Sequence, residues 1–296
     1  MDHAVEAALA VAARFGLFPD DPSVLRAASN VLVHLRPYPV VARVPVSVVT
    51  TRGSDATAWL AREAAAIHHL AGRQAVAPAD GFPVGPHRHG AMFVLLTGLL
   101  RHHGRPPRTP DVIGRSLRRL HEDLADLPGE LPELGVLAET GGWLERLHGT
   151  ESVSPSEVEA LLKVYEEVCE EIAARDWHSR PLHGDAHLGN LLDTPEGPVW
   201  VDFEDVHRGP VEWDLAALVA GPRVLGRVGH GSAADLLDRA VAAYGADPRS
   251  GALDLMVRAR TLTAASWSLL VESDSAGRAR ARRRVDWLLG GAPGGD

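Results

Sequence analysis

The order of patterns along this sequence predicts an α+β chain: a strand-rich N-terminal third with one main helix, then a mostly helical remainder. Two observations carry this. Valine-rich segments punctuated by turn residues dominate the first third, and helical spacing of apolar residues dominates after Thr109. Between them lies "TGLLRHHGRPPRTP", rich in proline and glycine, which sets an N-terminal lobe at 1–97 and a C-terminal lobe at 98–296. A chain of 296 residues is long enough for one large domain or two lobes.

The elements follow in order. "MDHAVEAALAVAARFGLF" reads as an amphipathic helix; Asp2 and Glu6 stand where a secretory leader would carry basic residues. "SVLRAASNVLVHLRPYPVVARVPVSVV" reads as two or three antiparallel strands broken at "RPYP". "SDATAWLAREAAAIHHLAG" is a helix, with Ser54 or Asp55 to cap it and Gly72 to end it. "GFPVGPHRHGAMFVLLTG" gives two more strands joined by a Pro/Gly/His loop, so His87 and His89 are expected in solvent. "TPDVIGRSLRRLHEDL" starts a helix with a threonine cap and Pro110 in its first turn. Ser154 and Glu157 form a capping box before an apolar series that places Cys169 in the core. Helices near 231–244, 251–272 and 276–289 close the chain, the last presenting Arg278–Arg284 as a solvated face.

Composition excludes several functions. A formal net charge of −9 argues against a nucleic-acid partner, which needs a basic face. The run "AMFVLLTGLL" is too short to span a membrane, so no membrane partner is expected. One cysteine allows no intramolecular disulfide, which suits a reducing cytoplasm. Lys163 is the chain's single lysine, so the Walker-type "GK[ST]" phosphate loop is absent. The acidic C-terminal lobe suits a cationic ligand.

The densest chemistry lies in "LHGDAHLGNLLDTPEGPVWVDFED", Leu182 to Asp205. "TPEG" suits a tight turn, and the flanking "NLLD" and "PVWVD" suit short strands. In such a hairpin Asp193 faces Pro198 and Leu192 faces Val199, which brings Asn190 and Asp202 to the open end as two oxygen ligands for Mg2+. Asp185 precedes Asn190 by five residues. An Asp, an Asn five residues on, and a second Asp after a short hairpin match the kinase template of catalytic loop and metal-binding aspartate.

"HGDAHLGN", "VDFED" and "GPVEWDLA" together resemble the aminoglycoside phosphotransferase, or phosphotransferase enzyme, family of small-molecule kinases. The resemblance implies a bilobal protein-kinase-like fold, with a nucleotide-binding N-terminal lobe and a C-terminal lobe holding the catalytic loop, metal site and acceptor pocket. It implies ATP and Mg2+ as cofactors and a small-molecule hydroxyl as acceptor. By it, Asp185 is the catalytic base, Asn190 and Asp202 are metal ligands, His183 supports the loop, and Asp214 is a buried helix-start acid holding the loop backbone. It also implies a basic residue on the third strand, Arg43, paired with Glu63, which lies on the inward face of its helix with Trp59 and Ile67. Ser29 and Asn30 fall in the phosphate-covering loop, here without a glycine, and Leu95–Leu99 falls at the adenine-binding hinge. Glu204 and Asp205 read as solvated loop acids, and His187 as a loop hydrogen-bonder. Two rivals stand beside this reading. One is a nucleotide-binding pseudokinase or scaffold. The other is a metal-dependent hydrolase using His183, Asp185 and His187 at alternate positions.

Overall fold

The computed structural model describes residues 2–226, 233–271 and 274–290. They form two compact units: Met1–Pro106, Glu122–Gly129 and Leu191–Val206 in the first, Pro107–His121, Glu130–Asn190 and His207–Asp296 in the second. The sequence boundary after residue 97 falls inside the first unit, which also collects two later segments.

The first unit is built on an antiparallel sheet of β1 (Ser23–Ala27), β2 (Asn30–His34), β3 (Val40–Pro45), β4 (His87–His89) and β5 (Met92–Gly98), in the order β1-β2-β3-β5-β4. Helix α1 (Asp2–Arg14) buries Ala4, Ala7, Ala8, Val11 and Ala12 in one core with Val31, Val33, Val44, Val94 and Leu96. Small alanines let the helix lie close to the sheet. Strand β3 is buried along its whole length, so its one charged residue, Arg43, needs partners inside the protein.

Three local expectations change. "VSVV" does not extend the third strand but opens helix α2 (Val46–Arg52). The β2–β3 ladder ends at Asn30↔Pro45, where proline has no N–H to donate, and the Val46 and Ser47 N–H groups turn to the Ser29 carbonyl. A 3₁₀ turn at Gly53–Asp55 then runs into α3 (Ala56–His69), so Asp55 is already helical and gives no side-chain cap. "HRH" is not a loop but β4: Arg88 and His89 are exposed, as expected for His89, while His87 is buried with Nε2 2.8 Å from the Pro83 carbonyl and its ring 4.8 Å from that of Phe15.

The second unit is helical: α4 (Pro110–Leu124, most of it in this unit), α5 (Gly135–Glu145), α6 (Pro155–Ala173), α7 (Glu212–Leu225), α8 (Ala233–Tyr244), α9 (Gly251–Val271) and α10 (Ser275–Leu288). Residues 231, 232 and 272 of the expected helices lie outside the described residues. Helix α9 is central, packing on α5, α6, α7 and α10. Helices α4 and α8 meet backbone to backbone at Gly114, where a Cβ would stand 2.1 Å from the Ala240 carbonyl oxygen. Short strands β6 (Arg180–Leu182) and β9 (His207–Gly209) pair antiparallel. The hairpin of β7 (Leu191–Thr194) and β8 (Gly197–Trp200) belongs to the first unit.

Helix α6 begins as its sequence dictates, with Ser154 and Glu157 in a reciprocal capping box. Its inward stripe is Val158, Leu161, Val164, Val168 and Ile172, which leaves Cys169 half-buried on the flank and not in the core. Ser154→Ala is expected to lower stability by ~1 kcal/mol, read as a shift in the urea midpoint; an unmoved midpoint would mean the cap contributes nothing. On α10, Gly277, Ala281, Val285 and Leu288 face inward, and the arginine run occupies the rest of the helix surface. No described helix is long and apolar enough to cross a membrane.

Candidate active site

Strand β6 delivers the chain to His183 in the second unit. Gly184 follows with φ of 87°, a left-handed conformation that favours glycine. Asp214, in the first turn of α7 and fully buried, accepts from the His183 N–H at 2.8 Å and the Gly184 N–H at 2.9 Å. Trp213 Nε1 donates to the Gly184 carbonyl at 2.9 Å. The loop backbone is therefore held from both sides by two consecutive residues of one helix. Behind Asp214, His121 Nε2 donates to its Oδ2 at 2.9 Å, and Nδ1 of the same ring lies 2.8 Å from the Tyr244 hydroxyl.

Burial alone would raise the Asp214 pKa, but the His121 hydrogen bond, with the charges of His121, His183 and His207, holds it below the usual carboxylate range. A depressed folded-state pKa contributes stability that is present above the unfolded value of about 3.9 and is lost as pH falls through the folded value. Stability of the wild type should therefore fall below about pH 4, and fall less steeply in Asp214→Asn. Melting temperatures across the acid range test this, and parallel curves would remove Asp214 from the acid transition.

Asp185 sits at the centre of the loop. Its Oδ1 accepts from Arg260 Nη2 on α9. Its Oδ2 is 3.3 Å from Asn190 Nδ2 and 3.4 Å from His187 Nε2, and its own N–H donates to His183 Nδ1 at 3.3 Å. Burial opposes its charge, but His187, Arg260 and His183 hold the pKa below the ordinary carboxylate value, so the group is ionised at neutral pH. Asn190 closes a 3₁₀ turn, Leu188–Asn190, and donates Nδ2 to the Asp185 carbonyl at 3.0 Å. Its amide nitrogen is thus used inside the loop. His187 accepts the Gly189 N–H at 2.9 Å, as a loop hydrogen-bonder does.

Arg260 was not legible as a site residue. One signal pointed to it: an arginine three and four residues after Val257 and Met256 lies on an inward helix face, and a buried charge needs a partner.

The first unit holds a second cluster. Arg43 on β3 donates Nη1 to Glu63 on α3 at 2.7 Å, and Nη2 to Asp202 at 2.6 Å and to Glu204. Asn30 Nδ2 donates to the other oxygen of Asp202 at 3.2 Å. Arg52 holds Asp205 and the Glu204 carbonyl. Glu204 and Asp205 are therefore not freely solvated loop acids: each is half-buried and paired with an arginine of this unit. Asp202 has φ of 70°, a left-handed conformation that aspartate tolerates better than most residues. Ser29 contributes its carbonyl to the start of α2, and its side chain makes no described hydrogen bond. At the expected hinge, the N–H groups of Leu96, Gly98 and Leu99 bond the carbonyls of Val84, Ala77 and Pro39, so these three donors are not open to a base.

Three carboxylates on one guanidinium leave surplus negative charge. Burial, then repulsion from Asp202, pushes Glu204 up to about 8, and burial pushes Glu63 up to about 7 against the attraction of Arg43. For Arg43, burial opposes the charge, but Asp202, Glu63 and Glu204 outweigh it and raise the pKa further. Arg43 Nε and Asn30 Oδ1 are buried without hydrogen-bond partners.

The β7–β8 register is the one read from the sequence, Asp193↔Pro198 and Leu192↔Val199, ending at Leu191↔Trp200. Asn190 directly precedes this ladder and Asp202 follows two residues after it. The donor set, a carboxylate oxygen of Asp202 in the first unit and an amide oxygen of Asn190 in the second, is of the type that suits an oxygen-seeking divalent cation. It does not fit a cage of three protein ligands. Among the described residues no three His, Cys, Asp or Glu side chains gather to hold a metal ion, and His183 and His187 both use Nδ1 to accept loop N–H groups. The hydrolase reading loses its support.

A family model described as the phosphotransferase enzyme family matches residues 29–253. The chain is 31% identical over 118 residues to stress response kinase A of Salmonella choleraesuis (strain SC-B67), covering 38% of this chain and 35% of that protein. A serine/threonine protein kinase, RdoA, of Salmonella typhimurium gives the same coverage, so the chain spans 35% of the length of either relative. Among solved structures, amicoumacin kinase hAmiN in complex with AMP-PNP, Ca2+ and Ami has a TM-score of 0.70 at 14% identity, covering 96% of this chain and 93% of that one. A choline/ethanolamine kinase family protein from Mesorhizobium loti has a TM-score of 0.62 at 20% identity, covering 95% and 93%. Aminoglycoside phosphotransferase APH(3'')-Id from Streptomyces rimosus has a TM-score of 0.57 at 18% identity, covering 86% and 96%. The likeness establishes the fold: kinase-like α+β, with a small antiparallel sheet and a larger helical part.

Proposed function

Because the chain belongs to the phosphotransferase enzyme family, we propose that it transfers the γ-phosphate of ATP to a hydroxyl group of a small molecule in the cytoplasm. The observation that carries this reading is Asp185: ionised, and set in a loop whose backbone is clamped by Trp213 and Asp214. In this reading Asp185 orients the acceptor hydroxyl and takes its proton as the oxygen bonds to the γ-phosphorus. The bond from that phosphorus to the bridging oxygen breaks, and ADP leaves.

Asn190 and Asp202 would hold Mg2+ through their side-chain oxygens. When bound, the ion neutralises charge on the phosphates. Glu63 fixes Arg43, and Arg43 fixes Asp202 and offers its unpartnered Nε to a phosphate oxygen. Ser29 and Asn30 lie at the phosphate-covering turn, so the strand-rich lobe binds nucleotide and the helical lobe binds the acceptor. The nucleotide analogue and divalent cation in the amicoumacin kinase complex support the cofactor assignment.

Asp202→Ala should abolish the Mg2+ dependence of ATP binding, and Asn190→Ala should weaken it less, since a neutral ligand contributes less charge. Calorimetric titration of ATP with and without Mg2+ measures this; unchanged linkage in Asp202→Ala would sink the ligand assignment. The activity itself is tested by ADP release over a panel of aminoglycosides, other antibiotics, sugars, amino-alcohols and serine-containing peptides. Tight Mg·ATP binding with no transfer to any acceptor or to water would favour the pseudokinase.

A further inference from the structure

Arg260 lies beyond residues 29–253, the span of the family match, yet it is the residue of α9 that touches Asp185. Its side chain enters from the middle of the central helix and only 8% of the residue is exposed. One guanidinium nitrogen, Nη2, bonds Asp185. The ring of Trp213 lies 5.2 Å from Cζ, which fixes the group from another side. Its Nε is buried and has no hydrogen-bond partner.

A guanidinium offers five N–H donors in a planar fork, and leaving a buried donor unmet is costly. Asp185 answers only part of that demand. The group that completes it must accept hydrogen bonds, and it is not a cation, which would be repelled at this distance from a buried arginine. A carboxylate meets both conditions and matches two N–H groups of the fork at once.

We infer that Arg260 reads a carboxylate on the acceptor, which makes the substrate class small hydroxy acids. This rests on the phosphotransferase reading above, in which Asp185 takes the hydroxyl proton. Arg260 bonds the same Asp185 carboxylate, so the acceptor's hydroxyl and carboxylate must lie only a few carbons apart. The products are the phosphorylated hydroxy acid, ADP and a proton.

The test uses the full chain carrying 15N-labelled arginine, with Mg·ADP. Glycerate, L-serine and L-homoserine are compared with the same molecules lacking the carboxylate: ethylene glycol, ethanolamine and 3-aminopropanol. The Nε–H resonance of Arg260, identified by its loss in Arg260→Lys, should move with at least one acid and not with its counterpart. With Mg·ATP, kcat/KM for that acid should exceed that of its counterpart by ~10²-fold, and Arg260→Gln should bring the ratio close to unity. A resonance unmoved by all three acids, or a ratio preserved in Arg260→Gln, overturns the inference. So does an Arg260→Lys variant whose main defect is a raised KM for ATP. Transfer to the neutral alcohols with a silent resonance overturns this inference alone. A moving resonance with no ATP-dependent transfer keeps Arg260 as a carboxylate reader and overturns the phosphotransferase reading.

Discussion

Asp185→Asn is expected to lower the rate of phosphoryl transfer by ~10²–10⁴, the usual cost of losing a general base. Asparagine keeps the shape and can still accept the Arg260 bond, but it cannot take a proton from the acceptor. Binding of Mg·ATP should stay within a few-fold of wild type, because the reading gives Asp185 no contact with the nucleotide. The variant should also melt at a lower temperature, since Arg260 loses its buried counter-charge. Steady-state ADP release, calorimetry and thermal unfolding separate the three effects. Turnover close to wild type would remove Asp185 from its role whatever the melting temperature does.

Arg43→Ala should have the largest effect on stability. It removes the cation that pairs with Glu63, Asp202 and Glu204 inside the first unit. Breaking a buried pair by deleting one partner costs about 3–5 kcal/mol, because the remaining charge is left uncompensated. The KM for ATP should rise and kcat fall together, since Asp202 loses the group that orients it. Glu63→Ala should act in the same direction more mildly, and the double variant should be less than additive. Arg43→Lys should restore only part, because lysine has no fork to hold several carboxylates at once. Wild-type melting and wild-type ATP kinetics in Arg43→Ala would leave the cluster without a function.

What was legible in the sequence was what short-range physics fixes. The β7–β8 register follows from a tight turn between two short apolar segments, but the ladder stops at Leu191↔Trp200, so Asn190, which closes a 3₁₀ turn, and Asp202 lie outside it and are not paired across the strands. Pairing of Arg43 with Glu63 was legible because each is a charge on a buried face. The partners of Glu204 and Asp205 were not, since two acids after "VDF" look the same whether arginines or water meet them. "VSVV" has strand composition, but the missing N–H of Pro45 ends the ladder, and composition does not report that. Arg260 is 75 residues from Asp185, and no local pattern encodes such a distance.

The first unit draws on three separate stretches of chain, and the last, Leu191–Val206, carries Asp202 and Glu204. During synthesis the sheet strands leave the ribosome long before these acids exist. Arg43 and Glu63 can pair early, but the cluster reaches its final composition only after the 3₁₀ turn at Leu188–Asn190 and the following hairpin have been made. Chain growth thus sets an order in which the nucleotide-side cluster is completed late. A fragment cut after residue 97 or 106 would retain β3 and α3 but never acquire Asp202, so the strand-rich part cannot be isolated as a finished binding module by cutting at the linker.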